Sequence, residues 1–178
     1  NISLSFFENY MKQCKGNNIY DDEIFQLNQE QIENLIPDSL MNKSAFSVYN
    51  EMLMLNIDSI EQLESYFKIS EQYFSNKQWM ELEQIENIDA LFQCMLEKVR
   101  KSCKDQKRFI NQLDCFFKRI KVDSYPTLWK SILHSNMYCL HVSQDYEGVK
   151  KLYYSKKYII ESNPVFFAEI IDEMARIA

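Results

Sequence analysis

Glycine is almost missing from this chain: Gly16 and Gly148 are the only two among 178 residues, beside three prolines. Glycine averages about 7% in globular proteins. Two isolated glycines cannot build the loop whose bare backbone closes around a phosphate. They also leave few turns with a left-handed backbone, so long helices joined by plain connections are expected. Long apolar runs are missing too, and a helix crossing a bilayer needs about 20 such residues. The five cysteines (Cys14, Cys94, Cys103, Cys115, Cys139) contain no CxxC pair. Zinc-ribbon and thioredoxin chemistry are thereby excluded, and free thiols in a reducing, intracellular compartment are expected. His134 and His141 are the only histidines and neither lies in an HExxH context, so no metalloprotease helix is present. The opening Asn1-Ile2-Ser3-Leu4 has neither an initiator methionine nor a basic leader, which suggests a start inside a longer protein.

What is plentiful is apolar and charged. Hydrophobic residues make up 46% and aromatics 14%, enough for a packed core that holds amphipathic helices together. The net charge of −6 is unevenly spread: residues 1–97 carry 5 basic and 17 acidic side chains, residues 98–178 carry 15 and 9. Such a split predicts either two surfaces with different partners or two halves that attract each other.

Periodicity predicts a helix from Leu4 to Cys14 stopping at Gly16, and a short strand over Ile19–Leu27. A short helix follows Asn28 as far as Leu35, ended by Pro37. Another helix covers Ser39–Leu55, and a capping box at Ser59-Ile60-Glu61-Gln62 leads into Leu63, Tyr66 and Phe67. Phe67–Gln84 reads as two strands around Ser75-Asn76-Lys77. Asn87 is expected to cap a long helix to Cys103. A second helix, Asp105–Ile120, has the clearest amphipathic pattern: Phe109, Ile110, Leu113, Phe116, Phe117 and Ile120. Ser124 and Pro126 start a third. Tyr138–Val142 and Leu152–Ile160 read as strands around Asp145–Gly148, before a last helix opened by Asn163-Pro164.

Few residues offer chemistry. Cys139 and His141 would share a face of a strand, as a thiol and its base require, though such pairs commonly arise without function. A nuclease or transferase using that pair or the acidic loop is the enzymatic reading. Asp21-Asp22-Glu23 lacks the spacing of a calcium loop and reads as a solvated turn. No catalytic residue, metal or cofactor is expected. The strongest polar feature is basic: Lys98, Arg100, Lys101, Lys104, Lys107, Arg108, Lys118, Arg119 and Lys121. This cluster suits phosphates or an acidic protein, and equally a solvated face balanced by the acidic half. Trp79, Trp129, Tyr153, Tyr154 and Tyr158 suit base stacking, although aromatics at helical spacing more often fill cores.

Helices, then a hairpin with an aromatic returning strand, outline a winged helix. The residues Ser59-Ile60-Glu61-Gln62-Leu63-Glu64-Ser65-Tyr66-Phe67, the hairpin ending Gln78-Trp79-Met80-Glu81-Leu82, the helix Asn87–Cys103 and the closing helix Pro164–Ala178 carry a resemblance. In layout the chain resembles the C-terminal half of the Stn subunit of the CST telomere-capping complex. That resemblance implies a mainly α fold with short β hairpins, two tandem winged-helix-like domains (1–86 and 87–178) and no catalysis. It further implies a nuclear, telomeric location and docking to other subunits of a telomere or telomerase complex, or to polymerase α–primase, with weak single-stranded DNA contact. Glu61 and Glu64, with no Lys or Arg over 59–67, favour protein docking over duplex reading. No membrane or small-molecule substrate is expected. The alternative is an all-helical scaffold of helical-hairpin repeats that binds a peptide or protein.

Overall fold

Most of the helix starts among the described residues are written locally. The computed structural model describes residues 3–17 and 44–177. The side-chain oxygens of Ser44, Ser59, Ser75, Asp105 and Asp145 accept from backbone N–H groups three residues on, which satisfies donors that a helix start leaves free. Pro126 opens its helix at a position where a missing N–H costs nothing. Among the described residues every regular element is a helix and there is no strand. They are α1 (Leu4–Asn17), α2 (Ala45–Asn56), α3 (Ile60–Tyr73), α4 (Asn76–Glu83), α5 (Ile88–Ser102), α6 (Gln106–Arg119), α7 (Pro126–Val142), α8 (Tyr146–Ser162) and α9 (Ala168–Ile177).

Scarce glycine has a visible substitute at the helix ends. Ile57, Phe74, Cys103 and Ile120 each follow a helix in an extended conformation. Ile57, Cys103 and Ile120 are buried, so an apolar side chain tucked inward redirects the chain. After α7 the left-handed residue is Gln144, and the Asp145 N–H donates back to the Leu140 carbonyl, the hydrogen bond of a Schellman ending.

The expected β hairpins do not exist, and the tandem winged-helix fold falls with them. Residues read as the first hairpin are the end of α3 and the whole of α4. The supposed turn is a capping box in which Ser75 and Gln78 bond each other reciprocally. Tyr138–Val142 is the last turn of α7 and Leu152–Ile160 lies within α8, with Asp145 capping its start. Tyr and Ile favour strands, but here burial at helical spacing prevails: Val149, Leu152 and Ile160 face the core. Asn87 precedes α5 with a positive φ of 57° and makes no side-chain cap. α1 passes through Gly16 to Asn17 rather than stopping there. The strand expected over 19–27, the helix after Asn28 and the Asp21-Asp22-Glu23 turn lie outside the described residues.

The helices stack in two rows. α2, α5, α7 and α9 form one, and the α5–α7 interface is the most extensive in the molecule. α9 joins that row through Trp129 against Phe167 and two ion pairs, Lys130–Glu169 and His134–Glu173. α3, α6 and α8 form the other, joined by Phe67 stacked on Phe116 at 4.1 Å and by Lys156 lying over Phe117. α4 is a short bridge: it packs on α2 and α7, and its Trp79 touches Phe74, Phe116 and Tyr125. One hydrophobic core runs across position 86 and through both rows. α7 and α8, joined by a short loop, pack against each other as a helical hairpin.

The stacking has a sequence register. Phe92, Met95 and Leu96 of α5 are matched 37 positions on by Trp129, Ile132 and Leu133 of α7. Another 38 positions on come Phe167, just before α9, and Ile170 and Ile171 of α9. In the second row Phe109 of α6 and Ile120, the residue that follows it, recur as Val149 and Ile160 of α8, forty positions later.

Candidate functional site

The basic cluster does not form a single surface. Lys98 donates through Nζ to the Leu55 carbonyl at 2.7 Å. Lys101 pairs with Glu97 on its own helix at 2.6 Å. Arg100 runs into the α5–α7 interface, where its Nε is buried without a partner and its charge acts on Cys139. Arg108 grips Glu64 with two bonds of 2.7 and 2.5 Å and reaches Glu61 at 2.9 Å. Arg119 pairs with Glu71 at 2.5 Å. Lys104, Lys107, Lys118 and Lys121 are exposed.

Thus α3 and α6, from the acidic and the basic half, are stitched side by side. The Arg108 guanidinium holds the Glu64 carboxyl below the usual carboxylate range, against the opposing effect of burial. Of the two expectations from the charge split, attraction between the halves is realised at this seam.

The thiol and imidazole read as neighbours do not meet. Residues two apart on a helix lie about 200° round from each other; Cys139 is wholly buried and His141 is exposed. Burial pushes the Cys139 thiol up to about 12, opposed by the charge of Arg100, so at neutral pH it is no thiolate nucleophile. His134 Nε2 lies 3.3 Å from Glu173 and serves the α7–α9 contact. Among the described residues no group of His, Cys, Asp and Glu is placed to hold a metal ion.

Trp129 is buried and Trp79 partly so, both packed among rings. The tyrosines of α8 behave otherwise. Tyr154 is 68% exposed and Tyr158 86%. Both stand on the flank turned away from α6, since the side toward α6 carries Leu152 and Lys156, whose Nζ lies 3.8 Å from Asp114. The positions of α6 matching Tyr154 and Tyr158 are Asp114, which attracts Lys156 of the next helix, and the exposed Lys118, which repels it.

α9 exposes apolar side chains in the same way. Leu96 and Leu133 are 0% and 1% exposed, whereas their counterpart Ile171 is 37% exposed. α9 meets α7 along Glu169 and Glu173. Its opposite flank carries Ala168, Ile171 and Ala175, all exposed, and Val165 in the preceding loop is 92% exposed. α8 and α9 thus both expose apolar side chains on the flanks turned away from the preceding helices of their rows.

No protein family, curated protein or solved structure matches the chain. The register was missed in the sequence, although a signal was there. Pro126-Thr127-Leu128-Trp129 begins α7 and Pro164-Val165-Phe166-Phe167 leads into α9, 38 positions on, and a fixed spacing of this size is the mark of repeat architecture.

Proposed function

We propose that the protein is a non-catalytic helical scaffold that docks a protein partner through the exposed apolar flanks of α8 and α9. The observation that carries this is Ile171, exposed at a position that is closed over in both preceding helices of its row. Apolar surface left open attracts another protein, because covering it releases roughly 25 cal/mol for each Å² removed from water. The basic side chains at the α3–α6 seam act within the molecule, so docking through that face is the weaker choice.

The test is affinity purification of the full-length protein beside a Tyr158→Glu, Ile171→Glu variant. Both positions are exposed, so the melting temperature should stay within a degree or two, as for ordinary surface changes. One stoichiometric protein partner should disappear. Retention of every partner by the variant would refute the reading. An Stn-like place in a telomere or telomerase complex is the specific form suggested by the resemblance, and recovery of subunits of such a complex in the same purification is its test.

A further inference from the structure

The two seams of the second row are built on one register, and only the first balances its charge. Fifty positions separate Leu63, Tyr66 and Phe67 of α3 from Leu113, Phe116 and Phe117 of α6, and forty carry α6 into α8. Contacts repeat with the register. Phe67 stacks on Phe116 at the first seam, and Phe117 carries Lys156 at the second, with Nζ 4.8 Å from the ring centre. Asp105 and Asp145, also forty apart, cap α6 and α8 alike. At the α3–α6 seam Glu61, Glu64 and Glu71 meet Arg108 and Arg119. At the α6–α8 seam their counterparts are Asn111, Asp114 and Lys121 against Gly148 and Ile159. Of the matched carboxylates only Asp114 is left.

Cations gather there instead. Lys107, Asp114, Lys118 and Lys121 share one flank of α6, at i, i+7, i+11 and i+14. The three lysines are exposed, and none of them makes an ion pair among the described residues. Lys156 faces them from α8 with its side chain 14% exposed. Its ammonium stands 3.8 Å from Asp114 and makes no hydrogen bond among the described residues. Burial holds it below the ordinary lysine pKa, and Lys118 adds to that effect against the attraction of Asp114. We propose that this seam is a docking groove for an acidic segment of a protein partner. The partner's carboxylates bring the negative charge that Glu61, Glu64 and Glu71 provide one seam earlier. The groove goes beyond the docking reading of α8 and α9: it lies on the opposite flank of α8 and uses none of their exposed apolar residues. Nucleic acid is the poorer fit. Among the described residues no exposed ring lines the seam for a base to stack on, because Phe117 is buried under Lys156 and Tyr154 and Tyr158 stand on the other flank. A net charge of −6 also repels a long polyanion.

The experiment follows the fluorescence anisotropy of a labelled oligoglutamate peptide added to the full-length protein, with labelled oligothymidylate of equal charge as its rival. Salt is held at about 0.1 M, where exposed charges more than about 10 Å off are largely screened. The unchanged protein should bind the peptide, and more tightly than the oligonucleotide. Lys118→Glu should weaken peptide binding about tenfold, since it turns an attraction into a repulsion. Its melting temperature should hold or rise, because the new carboxylate faces Lys156 where a like charge stood. Lys156→Met keeps a flexible apolar side chain on Phe117 and should also weaken binding. Lys12→Glu makes the same charge change on α1 and should leave binding unaltered. No peptide binding, equal losses in Lys118→Glu and Lys12→Glu, or tighter binding of the oligonucleotide would overturn the proposal. So would a melting temperature lowered by Lys118→Glu, since Lys118 and Lys156 would then not be an unmatched pair.

Discussion

Single buried polar side chains do much to decide how α2 and α3 sit together. The Tyr66 hydroxyl donates to Asn50 Oδ1 at 3.2 Å with both residues out of water, and Asn50 Nδ2 lies 3.3 Å from Met54 Sδ. Burial raises the pKa of that hydroxyl far beyond an ordinary tyrosine, so it stays a donor at any physiological pH. Tyr66→Phe keeps the ring and strands the Asn50 oxygen. A buried acceptor without a partner costs about 1–3 kcal/mol. Urea unfolding should show a loss of that size, and a second change of Asn50 to Leu should restore part of it. No single-sequence pattern marks Asn50 as buried; its partner comes from another helix sixteen residues away. Phe116 and Phe117, in contrast, were legible as core from helical spacing alone and are buried in fact.

Between elements, the sequence shows helix starts that are capped locally and hides those capped from afar. α7 begins at Pro126 without a side-chain cap of its own. Its first free N–H groups are taken by Glu83, at the end of α4: Thr127 N donates to Oε1 and Leu128 N to Oε2, both at 2.6 Å. A carboxylate there also meets the positive end of the helix dipole. Glu83→Ala should cost about 1 kcal/mol, the usual worth of a lost cap. Amide exchange in residues 127–130 should quicken, while the far end of α7 is unaffected. Uniform exchange along α7 in the variant would show that Glu83 is not its cap.

For the whole molecule, the charge split acts as an internal clamp. Glu64 is held by Arg108 below the usual carboxylate range. A depressed folded pKa contributes stability that is present above the unfolded value, about 4.3 for Glu. That contribution is lost as pH falls through the folded pKa. Arg108→Gln should therefore lower the melting temperature at pH 7. The gap from the unchanged protein should narrow as the pH falls through the depressed pKa of folded Glu64, and should shrink in molar salt. A gap independent of pH would mean that Arg108 acts through packing. The continuous core across both rows predicts that these changes move one cooperative transition rather than two.

Helical spacing and caps alone mark α1, α3, α5, α6 and α7 and where each of them begins. Those features are local: a cap oxygen reaches three residues ahead, and an apolar face repeats every three to four positions whatever it packs against. The sequence also showed the uneven charge. Only the tertiary structure decided that the tyrosine- and isoleucine-rich stretches are helix, because a strand needs a neighbour to bond and these found a buried helical flank instead. Only the tertiary structure showed that Arg108 and Arg119 face Glu64 and Glu71, more than forty residues distant. And only the order of the rows separates Ile171 from Leu96 and Leu133. All three look alike as apolar positions on an amphipathic helix, and the difference is how far the neighbouring helices cover each.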